Sequence, residues 1–144
     1  MTIHLQKLSV GSESIMTLQD WQKKVVARRR KAGLSAYHEH VTRMFPKQAE
    51  ALLDGGSIYW VIKGMMICRN EIAALEETRT RDGRKACSIL MVPELIPVAP
   101  TPKRPFQGWR YLQADAAPAD ITEIVGADEL PPELRAKLSN LGAW

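Results

Sequence analysis

The sequence predicts an α+β domain built on a mostly antiparallel, partly closed sheet with two to four flanking helices. Three observations carry this. Residues 58–62, Ile-Tyr-Trp-Val-Ile, are a continuous apolar run of β-formers, the pattern of a central strand covered on both faces. Asp82-Gly83 separates residues 71–81 from residues 84–92 as the turn of a β-hairpin. Residues 17–32 place apolar side chains at helical spacing with lysines and arginines opposite, the pattern of a helix laid on a sheet.

The elements follow in order. Residues 3–10 suit a short strand and residues 11–16 a loop. Thr17 with Asp20 forms a capping pair, Leu18, Trp21, Val25 and Ala32 share one stripe, and Gly33 ends the helix. Arg28-Arg29-Arg30-Lys31 fall in its last turn, where cations answer the helix dipole as readily as they would meet a phosphate. Arg29 projects near the buried stripe and has to snorkel.

A second strand is expected over residues 37–43, then a helix opened by Pro46 and closed by Asp54-Gly55-Gly56. After the central strand, Gly64 introduces a strand at 65–69. Residues 71–79 fit either a strand or, through Ile72, Leu75 and Arg79, a helix; the following hairpin turn favours the strand. Five prolines between 93 and 105 exclude a regular ladder and predict an extended loop that delivers residues 104–112 to the body. Two helices are expected near the end, a short one from Asp120 and one from Pro131 or Pro132 with Leu134, Leu138 and Leu141 on one face.

At 144 residues, 45% hydrophobic and 25% charged, the chain has globular composition and length enough for one core without disulfides or metal, so residues 1–144 are expected to form a single domain. The amino-terminal residues lack a long apolar core and no segment reaches the roughly 20 apolar residues that span a bilayer. A cytoplasmic protein with no membrane partner is expected. Cys68 and Cys87 sit in apolar stretches without metal spacing and read as reduced, buried thiols.

The net charge of +4 conceals an asymmetry. Residues 1–112 carry 18 Lys and Arg against 10 Asp and Glu, whereas residues 113–144 carry 2 against 6. A basic body suits a polyanion such as nucleic acid, because neutralising phosphates releases counterions. A solvated surface covered by the acidic segment would have the same composition.

The densest chemistry lies at residues 104–112, Arg-Pro-Phe-Gln-Gly-Trp-Arg-Tyr-Leu. Phe106, Trp109 and Tyr111 offer flat rings, Arg104 and Arg110 planar guanidinium groups, and Gln107 an amide that can read a base edge. The cluster is either a binding surface or a buried anchor, and the two readings are compatible. Arg43 and Lys63 are further candidate cations, and Tyr59 and Trp60 face opposite sides of the central strand, so that one fills the core while the other is available to line a cleft. His38 and His40 share a strand face, but no third ligand lies near and no metal is expected. No P-loop, dinucleotide fingerprint, nucleophile elbow, HExxH, RNP or GxxG motif occurs, which removes several cofactor and hydrolase classes, and no cofactor is expected.

Residues 40–46 (His-Val-Thr-Arg-Met-Phe-Pro), residues 52–64 (Leu-Leu-Asp-Gly-Gly-Ser-Ile-Tyr-Trp-Val-Ile-Lys-Gly) and residues 104–112 together resemble a bacterial family catalogued as domain of unknown function 1489. The resemblance covers nearly the whole chain and implies kinship without supplying a catalytic residue. A weaker similarity is to the PUA and ASCH small β-barrels, in which a short helix ending at glycine leads into a barrel strand, as residues 46–62 would. That similarity implies binding of RNA or modified bases. Some ASCH members hydrolyse acylated cytidine with a lysine, a threonine and a glutamate; the residue types available here are Lys63, Thr42 and Glu71. The Gly-Lys step expected after the helix is replaced by Gly55-Gly56-Ser57. The leading expectation is an RNA or modified-base binder that is not an enzyme. The alternatives are a small hydrolase of a modified nucleoside working through Lys63 with Thr42 or Glu71, and a protein-interaction module.

Overall fold

The computed structural model describes residues 2–121 apart from Val10, Ser12, Pro105 and Gln107. The strands are β1 (Ile3–Leu8), β2 (His38–Thr42), β3 (Ser57–Ile62), β4 (Met65–Arg79), β5 (Lys85–Met91), β6 (Ile96–Pro102) and β7 (Trp109–Gln113), with helices α1 (Ile15–Lys31) and α2 (Ala49–Leu53). They form a mixed, mostly antiparallel seven-stranded sheet in the order β2-β5-β4-β3-β1-β7, with β6 added to β4. Among the described residues the one parallel pair is β1 with β3, where Lys7 stands beside Trp60. The sheet curls without closing, so the predicted α+β class holds and its two outer strands β2 and β7 are left unpaired to each other.

Every residue of β3 is buried, as a strand covered on both faces requires. Its inward side chains Ile58, Trp60 and Ile62 join Ile3, Leu5, Ile15, Leu18 and Leu52 in the main core. Its outward Tyr59 and Val61 join Met66, Val98 and Leu112 in a second one, with Phe106 against it. The β3–β4 hairpin turns at Lys63 and Gly64, with φ of 51° and 77°. The strand reading of residues 71–79 is correct: β4 runs unbroken through them, giving its first half to β3 and β6 and its second half to β5.

Three expectations are corrected. Helix α1 starts earlier than its Thr17/Asp20 pair implied, because Ser14 is the N-cap: its Oγ accepts from Thr17 N at 3.2 Å while Thr17 Oγ1 accepts from Ser14 N at 3.0 Å. The buried stripe is Ile15, Leu18, Gln22 and Val25, and Trp21 is 51% exposed, with the Arg28 guanidinium 5.6 Å above its ring. Arg29 does snorkel, bonding Ser35 and pairing with Glu39 at 3.4 Å. Finally, the proline-rich residues form β6 rather than an unpaired loop. The prolines are tolerated because β6 lies at an edge, its register breaks between Met66 and Cys68 of β4, and Ala99 N turns away to Ala119 O. The helices expected from Asp120 and from Pro131 or Pro132 lie outside the described residues, save that Asp120 bridges Val98.

One buried polar cluster locks α1 to the sheet. Asn70, fully buried, exchanges two hydrogen bonds with Gln22 (2.8 and 3.1 Å), accepts from Trp60 Nε1 at 2.8 Å and donates to Val92 O at 3.0 Å. Gly56 brings two backbones together at the base of α2, since a Cβ there would sit 2.3 Å from Leu52 O and 2.4 Å from Ile3 O.

Candidate functional site

Where β2 and β7 approach without pairing, side chains replace the missing ladder. Trp109 donates its indole N–H to Thr42 Oγ1 at 3.1 Å, and Tyr111 OH accepts from Gln48 N at 3.1 Å. The two rings meet edge to face, 5.0 Å apart at 70°. Between the strands lies a cleft of about 810 Å³ lined by Lys7, His40, Thr42, Arg43, Trp109, Arg110 and Tyr111 among others. No carboxylate is among its described lining residues. Arg43 also borders a neighbouring cleft of about 540 Å³ with Arg81, Arg84, Lys85 and Asp82, so cationic groups continue from this seam to the β4–β5 hairpin.

Strand alternation sorts the predicted residues. Trp109 and Tyr111 pack toward the main core, half-buried at the seam. Arg110 points to the other face, its guanidinium 5.1 Å from the Phe106 ring. The cluster is thus partly anchor and partly cleft wall. Arg43, Arg104 and Arg110 are exposed and form no ion pair among the described residues. Gln107 lies outside the described residues. Tyr59 and Trp60 are both buried, at 4% and 3% exposure, and each edges a different cavity: Trp60 one with Lys7, His38 and His40, Tyr59 one on the other face of the sheet with His4, Arg69 and Asp120.

Lys63, Thr42 and Glu71 are not brought together. Lys63 is exposed on the β3–β4 turn, whereas Glu71 is exposed opposite Ser57 at the far end of the same hairpin. Strand rise puts roughly 20 Å between them, which no single reacting atom can bridge. Thr42 alone belongs to the seam.

Two cleft residues were not singled out by sequence reasoning for this role. Lys7 sits on the inward face of β1, in register with Trp60 on one side and Trp109 on the other. Burial lowers its pKa. His40 stands edge-on to Trp60, 5.7 Å between centroids, and burial, then the charge of Lys7, pushes its pKa down to about 4. Burial and then His40 bring His38 to about 4 as well, so both imidazoles are neutral at pH 7. His38 Nδ1 and His40 Nε2 are buried without a hydrogen-bond partner among the described residues. Among the described residues no group of three or more His, Cys, Asp or Glu gathers to hold a metal. Burial raises Cys68 to about 12 and Cys87 to about 11, which removes thiolate nucleophiles at neutral pH. No helix among the described residues is long and apolar enough to cross a membrane.

A family model described as Protein of unknown function (DUF1489) matches residues 5–144. The chain belongs to this family. The DUF1489 match includes β1 from Leu5 onward and every other strand of the sheet, hence both walls of the seam. No curated protein and no solved structure matches the chain.

Proposed function

We propose that this DUF1489 protein binds RNA or another single-stranded nucleic acid through the β2–β7 seam, seating an unpaired or modified base against Trp109. The observation that supports it is a cleft walled by Trp109 and Tyr111, bordered by Lys7, Arg43 and Arg110, with no carboxylate in its described lining. A flat, apolar-faced ring suits the aromatic wall, and phosphates suit the cations that continue past Arg43 toward Arg81, Arg84 and Lys85. A hydrolytic reading has less support, since Lys63 and Glu71 stand at opposite ends of one hairpin.

Binding of a short fluorescent RNA at several salt concentrations tests this. Affinity falls with salt with a log–log slope of about −0.7 per neutralised phosphate. Trp109→Ala weakens binding by about 1 to 3 kcal/mol, and Arg43→Ala reduces both affinity and slope. Equal affinity at low and high salt, or no loss in a folded Trp109→Ala, Arg43→Ala variant, overturns the proposal. Exposed Val41, Met44 and Phe45 beside the seam favour a second reading, a protein-interaction module; a partner captured from extract that survives nuclease would select it.

A further inference from the structure

We infer that the floor of the seam is an oxyanion subsite, built by Lys7, His40 and Thr42, that takes a phosphate group.

The geometry is a sandwich. On one wall Trp60, Lys7 and Trp109 stand in a row across β3, β1 and β7, because Lys7 is in register with both tryptophans. On the other wall His40 and Thr42, two apart on β2, point to the same side. His40 meets Trp60 and Thr42 meets Trp109. Lys7 therefore faces the space between His40 and Thr42, and with His40 it lines both cavities.

Each of the three carries hydrogen-bonding capacity that the described residues do not use. Lys7 makes no ion pair among the described residues, and no carboxylate is among the described residues lining either cavity. His40 Nε2 is buried with no partner among the described residues. Thr42 Oγ1 accepts from the Trp109 indole, which leaves its own hydrogen to be donated. A partly buried cation and a buried imidazole nitrogen are costly to leave unpaired. An ammonium, an imidazole N–H and a hydroxyl converging from two walls suit a tetrahedral oxyanion with several acceptor oxygens. Lys7 supplies the interior charge, since Arg110 leans on Phe106 across the sheet.

The anion subsite stands on its own geometry, and its assignment to a nucleic-acid phosphate rests on the function proposed above. Inorganic phosphate is titrated into the full chain at pH 7 and constant ionic strength, followed by phosphorus NMR line broadening and thermal shift. Saturable binding is expected, weakened about tenfold or more in Lys7→Met, as for a lost charge-assisted hydrogen bond, and unchanged in Lys24→Met on the exposed side of α1. Lys7→Gln is the second variant, in case methionine disturbs β1. Absence of saturable binding by the wild type, or binding retained by folded Lys7→Met and Lys7→Gln, overturns the subsite. Oligonucleotides with and without a 5′-phosphate identify the source: a Lys7-dependent advantage of the phosphorylated form assigns a terminal phosphate, and equal Lys7-dependent binding assigns an internal one. RNA that fails to bind while phosphate still binds at Lys7 removes the nucleic-acid reading alone, whereas RNA binding indifferent to Lys7 removes the subsite alone.

Discussion

Replacing Asn70 by alanine removes the centre of the buried amide cluster, and the cost follows from what it strands. The Gln22 amide loses both reciprocal bonds, the Trp60 indole N–H loses its acceptor, and Val92 O loses a donor. Gln22, Asn70 and Trp60 are each no more than 3% exposed, so water does not readily replace the lost partner. An unsatisfied buried group costs about 1 to 3 kcal/mol, which for two or three groups with partial relaxation gives about 3 to 5 kcal/mol. Gln22→Met spares the Trp60 and Val92 bonds and should cost only about 1 to 2 kcal/mol. Urea unfolding followed by circular dichroism reads this directly: with an m-value of about 2 kcal/mol/M, Asn70→Ala lowers the midpoint by about 1.5 to 2.5 M. Because both partners are gone in Gln22→Met, Asn70→Leu, that double variant should be more stable than the sum of its single losses. Additive losses, or an Asn70→Ala midpoint within about 0.5 M of wild type, would refute the claim that this cluster pins α1 to the sheet.

Other expectations concern the same scaffold. Gly56→Ala forces a Cβ against Leu52 O and Ile3 O, both backbone atoms that cannot rotate away, and should cost about 3 kcal/mol in the same assay. His38 and His40 have folded-state pKa values pushed down to about 4 from 6.5, so the unfolded chain binds more protons between those limits. Stability is then complete above about pH 6.5 and declines as pH falls toward 4, by up to about 1.4 kcal/mol per pH unit for each histidine. Urea midpoints at pH 7, 6 and 5 check the sign, and His40→Phe should flatten the profile; a midpoint independent of pH contradicts it.

Much of the fold was legible because burial on both faces leaves a strong mark, as in residues 58–62, and because Asp82-Gly83 punctuates a hairpin unambiguously. The residues that escaped did so for physical reasons. Proline content suppresses a strand signal, yet β6 needs a ladder only with β4 and tolerates prolines at its register break. Trp21 was expected inward by size and spacing, but Gln22, four residues after Leu18, takes the inward position in its place. Asn70 is invisible to hydrophobic periodicity, although it occupies the inward slot between Cys68 and Ile72. Lys7 is the most instructive omission. The inward set Ile3 and Leu5 continues to Lys7 by alternation alone, but a lysine near a strand end reads as solvent-facing until the parallel pairing with β3 and the antiparallel pairing with β7 place a tryptophan on each side of it. Non-local register supplies that information, and no local pattern contains it.

The openness of the sheet and the character of the seam have a common cause. Unpaired edge strands invite association, and proteins commonly blunt them with charge or cover. Here β7 is held to β2 across a gap by an indole edge on Thr42 and to the start of α2 by a phenol on Gln48 N, bonds that use the rims of the rings. A backbone ladder would draw the strands to about 4.8 Å and leave no space for a ligand. Side-chain staples hold them farther apart, and the space they preserve is walled by the same rings. Trp109 therefore serves architecture through its N–H and the cleft through its apolar surface, so anchoring and recognition are separate edges of one side chain rather than competing accounts of it.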